Sequence, residues 1–545
     1  MDKKSIIGLV LVFGLFVGYM YWVSPSKEEV ARMQHERDSI LAARIDSLVQ
    51  DSLSRAEREA MLDTMDEQEV QMALKQSELG AFGGNVGAET STLTVQNDLF
   101  TVQLTDMGAQ VNKVVLNKFQ TFDDKELVLI SPSDENMNMV FSTTDNHVVN
   151  TRDLSFAAFV DGQPVSGSQE IEVEGDSLTI SYRAYAVNDL KDSNDLKDLN
   201  DSYLEYRYTF YRDRYDVGYS IRFHGLKDVV RADNGYVDFF WQNTMRRQEK
   251  VDPTARGKAN PNKDREKWYS NVYYRSTGDK PEELKQARDD QKQVKTQLDW
   301  VAFKQQFFCA ILMNDSRFEN AVVASQTLRE KDTAASYLCD MSATLGLTYD
   351  PEKDCSVDMQ FYFGPSKFST LKKMDRGFES MLSHGKFFLV RWTSRALIRC
   401  LNLFENFNWN YGIIIIVITF LLRFVVLFPL TYYSYKSTAI NRILRPEMEA
   451  LNKKYPDQSQ AMQKSQEMSR LQKAAGINPL MGCLPLLIQM PILFAMFRFI
   501  PTAVELRQQP FLWCHDLSNY DSILDFGFNI PLYGDHFSLF CFIMF

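Results

Sequence analysis

Cysteine and histidine are scarce, at seven and six residues in a chain of 545. Cys309, Cys339, Cys355, Cys400, Cys483, Cys514 and Cys541 form no C-x-x-C pair and the histidines are scattered, so the common metal-site spacings are absent. Also missing are the phosphate loop G-x-x-x-x-G-K-[ST], the metalloprotease pattern H-E-x-x-H and the nucleophile elbow G-x-S-x-G. ATP hydrolysis, metalloproteolysis and esterase chemistry are therefore not expected, and the chain reads as a non-enzyme without cofactors. There is no basic excess either. Lys and Arg number 60 against 71 Asp and Glu, a net charge of −11, which removes the electrostatic footprint of a direct nucleic-acid partner.

What the sequence does have is four strongly apolar runs: Ile6–Val23, Tyr411–Leu430, Leu480–Ile500 and Phe537–Phe545. The first three are long enough to cross about 30 Å of hydrocarbon. The mean hydropathy of −0.28 looks like that of a soluble protein because one large polar segment dilutes them. A membrane protein carrying a large aqueous domain is expected. Lys3 and Lys4 precede the first run and no A-x-A cleavage site follows it, so residues 1–23 read as an uncleaved signal anchor with a cytoplasmic N-terminus. Residues 24–410 then lie outside. Between the second and third runs, residues 431–479 carry Lys436, Arg442, Arg445, Lys453, Lys454, Lys464, Arg470 and Lys473 against only Glu447, Glu449, Asp457 and Glu467. That excess of positive charge marks a cytoplasmic loop. Residues 501–536 set Arg507 against Glu505, Asp516, Asp521, Asp525 and Asp535, and belong outside again. Residues 537–545 begin a further span that is incomplete at Phe545, so a longer chain is expected.

Within the outer part, residues 24–88 read as a charged helical stalk ending in a Gly-rich linker, Gly80 to Gly87, expected to act as a flexible joint. Residues 89–365 alternate apolar and polar side chains, as in Leu93/Val95, Phe100/Val102/Leu104, Ile171/Val173, Leu178/Ile180 and Tyr203 to Tyr211, which predicts a large all-β sandwich. Its aromatics are expected to be core, and Cys309, Cys339 and Cys355 to be free thiols. The tandem Asn188–Ser193 and Asn194–Leu199 lacks the glycine and terminal glutamate of a calcium loop and reads as an expanded loop. Met245 to Asp264 reads as a polar surface loop. Residues 366–410 hold an amphipathic interfacial helix in which Arg391, Arg395 and Arg399 line one side, with Trp392, Leu397, Ile398, Leu401 and Leu403 apolar.

The residue that carries the most information is Arg423, deep inside the run at 411–430. A charge there costs roughly 2.5–3.5 kcal/mol on insertion scales, so it must face protein, a counter-charge or water. Thr419 lies four residues earlier on the same helical face, and Gln489 lies between Pro485 and Pro491 in the run at 480–500. Together they predict a hydrated intramembrane pocket. No Asp or Glu lies within these runs to pair with Arg423, which argues against a proton relay and leaves the arginine available to an incoming polar or anionic group. Ala439–Lys454 and Gln460–Lys473, separated by Tyr455-Pro456-Asp457, predict a charged helical hairpin on the cytoplasmic side, able to touch lipid headgroups or a ribosome. An envelope-anchored binding module built on the β-domain is the competing reading.

The stretches NYGIIIIVITFLLRFVVLFPLTYYSYKS, NPLMGCLPLLIQMPILFAMFRF and VELRQQPFLWCHDLS, in that order around the hairpin, closely resemble the YidC membrane protein insertases of Gram-negative bacteria. The resemblance is strongest over residues 387–518 and weaker over the anchor and β-domain; the stalk is not matched. It implies a multi-domain chain: an α-helical polytopic membrane domain in the bacterial inner membrane plus a large periplasmic supersandwich-like β-domain. It further implies a groove open to cytoplasm and lipid, in which Arg423, Thr419 and Gln489 receive polar segments of nascent membrane proteins. The hairpin residues Arg442, Arg445, Lys453, Lys454 and Lys473 fall on the client-capture element, and the β-domain on the part that meets the Sec translocon. Members of the family have two further spans after the one beginning at Phe537.

Overall fold

A computed structural model describes residues 67–86, 90–133, 135–186, 202–231, 235–250, 264–328, 336–351, 353–382, 388–405, 407, 409–455, 461–475, 484–519, 521, 523–530 and 534–544. The signal anchor, the first part of the stalk and the tandem repeat lie outside these residues. Alternation along the chain becomes strand structure where it was expected. Tyr236–Arg246 buries every second side chain along its length, and Leu204, Tyr206, Tyr208 and Phe210 of Tyr203–Tyr211 all point into the core.

Among the described residues the strands of the β-domain form three sheets, and Leu524–Ile530 pairs with Gly534–Phe537 in a separate two-stranded one. A ten-stranded antiparallel sheet has Leu298–Lys304, Phe308–Phe318, Cys355–Pro365, Asp216–His224, Tyr203–Tyr211 and Ser177–Tyr185 as its successive central strands. It faces a seven-stranded sheet built on Tyr236–Arg246 and Tyr337–Thr348, and a five-stranded sheet starting at Thr92–Gln96. Aromatic rings join the layers. Trp241 stacks on Phe303 at 3.9 Å, Phe239 meets Tyr219 at 6.1 Å, and Phe100 meets Phe363 edge-on at 6.5 Å. The buried tyrosines and phenylalanines are thus sandwich core, each pair adding about 0.5–1.5 kcal/mol to the area term. Cys309, Cys339 and Cys355 are free; burial pushes the Cys309 thiol up to about 11 and the Cys339 thiol up to about 12.

Three expectations are corrected. The Gly-rich joint is no flexible linker where it is described: Gly80–Asn85 is a 3-10 turn whose Phe82 is fully buried against Phe141 at 5.6 Å. Asn85 fastens it, donating to the Tyr185 carbonyl at 2.7 Å and accepting from the Tyr185 amide at 3.0 Å. Second, residues 366–382 belong with the β-domain. Leu371, Phe378, Met381 and Leu382 pack on Trp300, Ile311 and Tyr362 from the outer face of the ten-stranded sheet. Third, the supposed surface loop at 245–264 is buried at both described ends, with Met245, Arg247, Gln248, Glu249 and Asp264 all withdrawn from solvent. Its middle lies outside the described residues.

After the sandwich the chain becomes helical. Phe388–Glu405 buries Leu397, Ile398 and Leu401 against Ile414, Ile418 and Phe499, while Trp392, Arg395 and Arg399 share the exposed side. The apolar residues are therefore split between two faces, and Trp392 and Leu403 lie with the arginines rather than opposite them. Tyr411–Leu421 and Leu484–Phe499 complete this small helical core. No helix among the described residues is long and apolar enough to cross a membrane.

Candidate functional site

The run at 411–430 does not stop at residue 430. Tyr411–Leu421 passes through a π-helical turn, Leu422–Leu427, into Phe428–Ile443, so the helical path is continuous but changes its hydrogen-bond step midway. Proline explains the position. Pro429 has no N–H to return to an earlier carbonyl, and the strain is relieved by a wider i→i+5 turn just before it. The Phe428 amide accordingly donates to the Arg423 carbonyl. Pro446 repeats the effect one step on, where a break at Leu444 starts a new helix, Arg445–Lys454.

Arg423 lies in this π turn with its side chain exposed, and its guanidinium forms no hydrogen bond or ion pair among the described residues. Thr419 is also exposed, its hydroxyl donating to the Ile415 carbonyl at 2.8 Å. Gln489 is exposed on Leu484–Phe499, where Pro491 leaves the Leu487 carbonyl without its helical donor. Arg423 and Thr419 share one helical path, Gln489 comes from another helix, and no hydrogen bond joins the three. Phe420, Phe424 and Phe428 form an exposed stacked ladder beside Arg423, with centroids 4.1 and 6.4 Å apart.

The hairpin arms are Arg445–Lys454 and Ala461–Ala474, with Arg442 at the end of the preceding helix. Arg442, Arg445, Lys453, Lys454 and Lys473 are all exposed, and among their contacts are an i,i+4 pair of Arg445 with Glu449 at 3.2 Å and Lys454 over the Tyr455 ring at 5.6 Å. Such exposed pairs contribute little to stability, so the basic side chains remain available to solvent or a partner.

Sequence reading missed how firmly the 501–518 segment ties these helices to the sandwich. Asn410 caps Tyr411–Leu421 by accepting from the Gly412 amide at 2.9 Å, and its Nδ2 donates to the Pro510 carbonyl at 2.9 Å. Gly412 faces Phe511 so closely that a Cβ there would lie 2.1 Å from ring carbon Cγ. Gly412→Ala is therefore expected to destabilise this junction by about 1–3 kcal/mol. Hydrogen exchange of amides 411–421 would register it as faster opening, with the double change Gly412→Ala, Phe511→Ala recovering part of the loss. Unchanged exchange in the single variant would mean that the ring simply moves aside. Further along, Lys367 pairs with Glu405 at 2.5 Å, and the Tyr411 hydroxyl donates to the same carboxylate at 3.0 Å.

The segment 501–518 also reaches the sandwich through Arg507, whose guanidinium meets Glu249 at 2.5 Å and the Gln120 carbonyl at 2.6 Å. A model of the YidC periplasmic domain matches residues 92–394, and a model described as 60Kd inner membrane protein matches residues 403–545. The membrane protein insertase YidC of Bacteroides fragilis is 34% identical, the alignment covering 100% of this chain and 81% of that protein. The chain belongs to the YidC family of membrane protein insertases. YidC of Parabacteroides distasonis is 33% identical over 100% of this chain and 82% of its own length, and YidC of Porphyromonas gingivalis is 30% identical with the same coverage. Together the two family models take in the YidC sandwich, the Arg423 helix, the hairpin and the 501–518 segment. Among solved structures, a galactose mutarotase-like protein from Lactobacillus casei overlays 50% of this chain and 100% of itself at a TM-score of 0.27 and 9% identity. A similarity of that size has no functional meaning.

Proposed function

We propose that this YidC-family chain inserts apolar segments of nascent proteins into the bacterial inner membrane by a non-enzymatic route, with Arg423 receiving the polar flank of the client while its apolar segment passes into lipid. The observation that carries the reading is an exposed arginine without a counter-ion among the described residues, set in a π turn between an apolar helix and a basic one. Wide turns of this kind recur at functional sites, and an arginine with no partner of its own can exchange water for a client carboxylate or amide. Thr419 and Gln489 extend the polar surface. Burial of the client's apolar span supplies the driving force, so no nucleotide is consumed.

In this proposal the path from Tyr411 to Leu430 and the run containing Leu484–Phe499 cross the bilayer, and the N-terminal run anchors the chain. The basic hairpin, with Arg442, Arg445, Lys453, Lys454 and Lys473, projects into the cytoplasm to capture clients near lipid headgroups or a ribosome. The sandwich lies in the periplasm, where contact with the Sec translocon takes place. The exposed aromatic and cationic side of Phe388–Glu405 rests in the outer interface, with Trp392 at headgroup level.

Insertion of a single-span client into proteoliposomes tests the division of labour. Deleting residues 89–364 is expected to leave at least about half of the insertion rate, since the deletion removes no residue of the Arg423 helix or hairpin. Complete loss would instead favour a protein that works through its β-domain.

A further inference from the structure

Within the junction between sandwich and helices, one side chain makes directional contacts with three separate parts of the β-domain. Arg507, with its side chain 1% exposed, donates from Nε to Glu249 at 2.5 Å and from Nη2 to the Gln120 carbonyl at 2.6 Å. Its guanidinium carbon also lies 5.2 Å from the Phe308 ring centroid and 5.9 Å from that of Phe307. Gln508 repeats the direction, donating to the Gln120 and Thr121 carbonyls at 3.2 and 3.1 Å, and Gln306 of the sandwich donates back to the Pro501 carbonyl at 2.5 Å. Apolar residues would hold two surfaces together at least as well. A buried guanidinium with fixed acceptors instead selects one relative position, because any slide leaves charge and carbonyls unpaired in a dry site.

Glu249 belongs to a larger buried set. Its backbone amide and that of Gln248 donate to the Glu266 carboxylate at 3.1 and 2.8 Å. Arg247 holds Asp264 through two bonds of 2.9 and 3.1 Å and approaches Glu266 at 3.9 Å. Three buried carboxylates thus face two buried guanidiniums. Of the other charged groups nearby, Asp516 on the 501–518 segment adds negative potential at Glu249, Lys267 donates to the Leu328 carbonyl at 2.7 Å, and Lys250 follows Glu249 in sequence.

We propose that Arg507 is the positioning residue that locks the β-domain onto the helical region, and that Glu249 is the titratable acceptor through which protons tighten or loosen the lock. Burial pushes the Glu249 carboxyl up to about 7, with Arg507 pulling it down and Asp516 pushing it up. A solvated glutamate titrates near 4.5. The docked state therefore holds a proton that the undocked state has released between these values. Docking is full below the lower value and weakens as pH rises through the upper one.

Amide hydrogen exchange of the full chain in detergent, expressed as protection factors for amides 503–517 from about pH 5 to about pH 8, tests both halves. The native chain is expected to lose about tenfold or more of its protection across that range. Arg507→Ala is expected to lose at least about tenfold at every pH, Arg507→Lys to fall between the two, and Glu249→Gln to stay docked with a flat profile. Amides of the central strand Tyr203–Tyr211 serve as the internal control and are expected to match the native chain at each pH in all variants. Unchanged protection of 503–517 in Arg507→Ala overturns the lock, and a native pH slope in Glu249→Gln overturns the role of that carboxylate. Loss of protection in the central strand of Arg507→Ala would make the residue a support of the sandwich itself and would likewise overturn the proposal.

Discussion

Arg423→Ala is expected to slow insertion of a client with an acidic translocated tail by roughly tenfold to a hundredfold, and Arg423→Lys to retain most of the rate. The range follows from a charge-assisted hydrogen bond, worth about 1.5–3 kcal/mol, at about 1.4 kcal/mol per decade. The contact counts fully because Arg423 spends nothing on a partner among the described residues. Lysine keeps the charge but loses the planar fork, so a modest loss is expected for a carboxylate held by two oxygens. A client whose tail is short and uncharged is expected to lose much less, and Thr419→Val or Gln489→Leu to have smaller effects, since each removes a neutral group. The measurement is the initial rate of protease-protected client in proteoliposomes. Equal rates for Arg423→Ala and the native chain with the acidic client would remove the arginine from the mechanism.

The sandwich was legible because alternation is a local property. Leu93/Val95, Phe100/Val102/Leu104 and, between 203 and 211, Leu204, Tyr206, Tyr208 and Phe210 are inward-facing in the strands they define, and the last strand of the sandwich ends at Pro365, where the period-two pattern ends. Phe82 was not legible, since one aromatic among glycines carries no period and its burial depends on Phe141, far along the chain. The same holds for residues 366–382, whose apolar positions find a face of the ten-stranded sheet that the sequence does not announce. At the candidate site, Arg423 stood out because a charge in an apolar run is conspicuous. Its π turn could have been anticipated from Pro429, which must remove one helical hydrogen bond somewhere before it.

The buried charge cluster was the least legible feature. Arg247, Glu249, Asp264 and Glu266 lie in a polar, turn-rich stretch whose composition points to solvent. Each charge becomes acceptable in the interior only through partners that folding supplies: Asp264 through Arg247, Glu266 through two backbone amides, Glu249 through Arg507 from 258 residues away. Composition reports what a segment would do alone. Pairing across the fold reverses it, and no spacing within the segment gives the partner away.

That pairing makes Arg247→Met the substitution with the largest expected effect on the sandwich. It leaves Asp264 and Glu266 buried without their guanidinium, which costs about 3–5 kcal/mol when one partner of a buried pair is removed. The pH dependence then identifies the cause. In the native chain, burial pushes the Glu266 carboxyl up to about 8; Arg247 pulls it down, Glu249 pushes it up and the amides of Gln248 and Glu249 pull it down. The unfolded value is near 4.5, so between the two the folded protein holds a proton that the unfolded chain has released. Stability attributable to this group is complete below the lower value and is lost as pH rises through the upper, amounting to a few kcal/mol at about 1.4 kcal/mol for each tenfold change in proton affinity between the folded and unfolded chains. Global exchange of amides in Tyr236–Arg246 is therefore expected to be slower, after correction for intrinsic rates, at about pH 5 than at about pH 8. Glu266→Gln removes the titrating charge and flattens that difference. Arg247→Met removes a cation that opposes burial at Glu266 and steepens it, because the carboxyl then needs its proton over a wider range. A native chain more stable at the alkaline end, or an Arg247→Met variant with the native slope, would mean that the cluster is wet enough for its charges to be screened and that neither burial nor Arg247 controls Glu266.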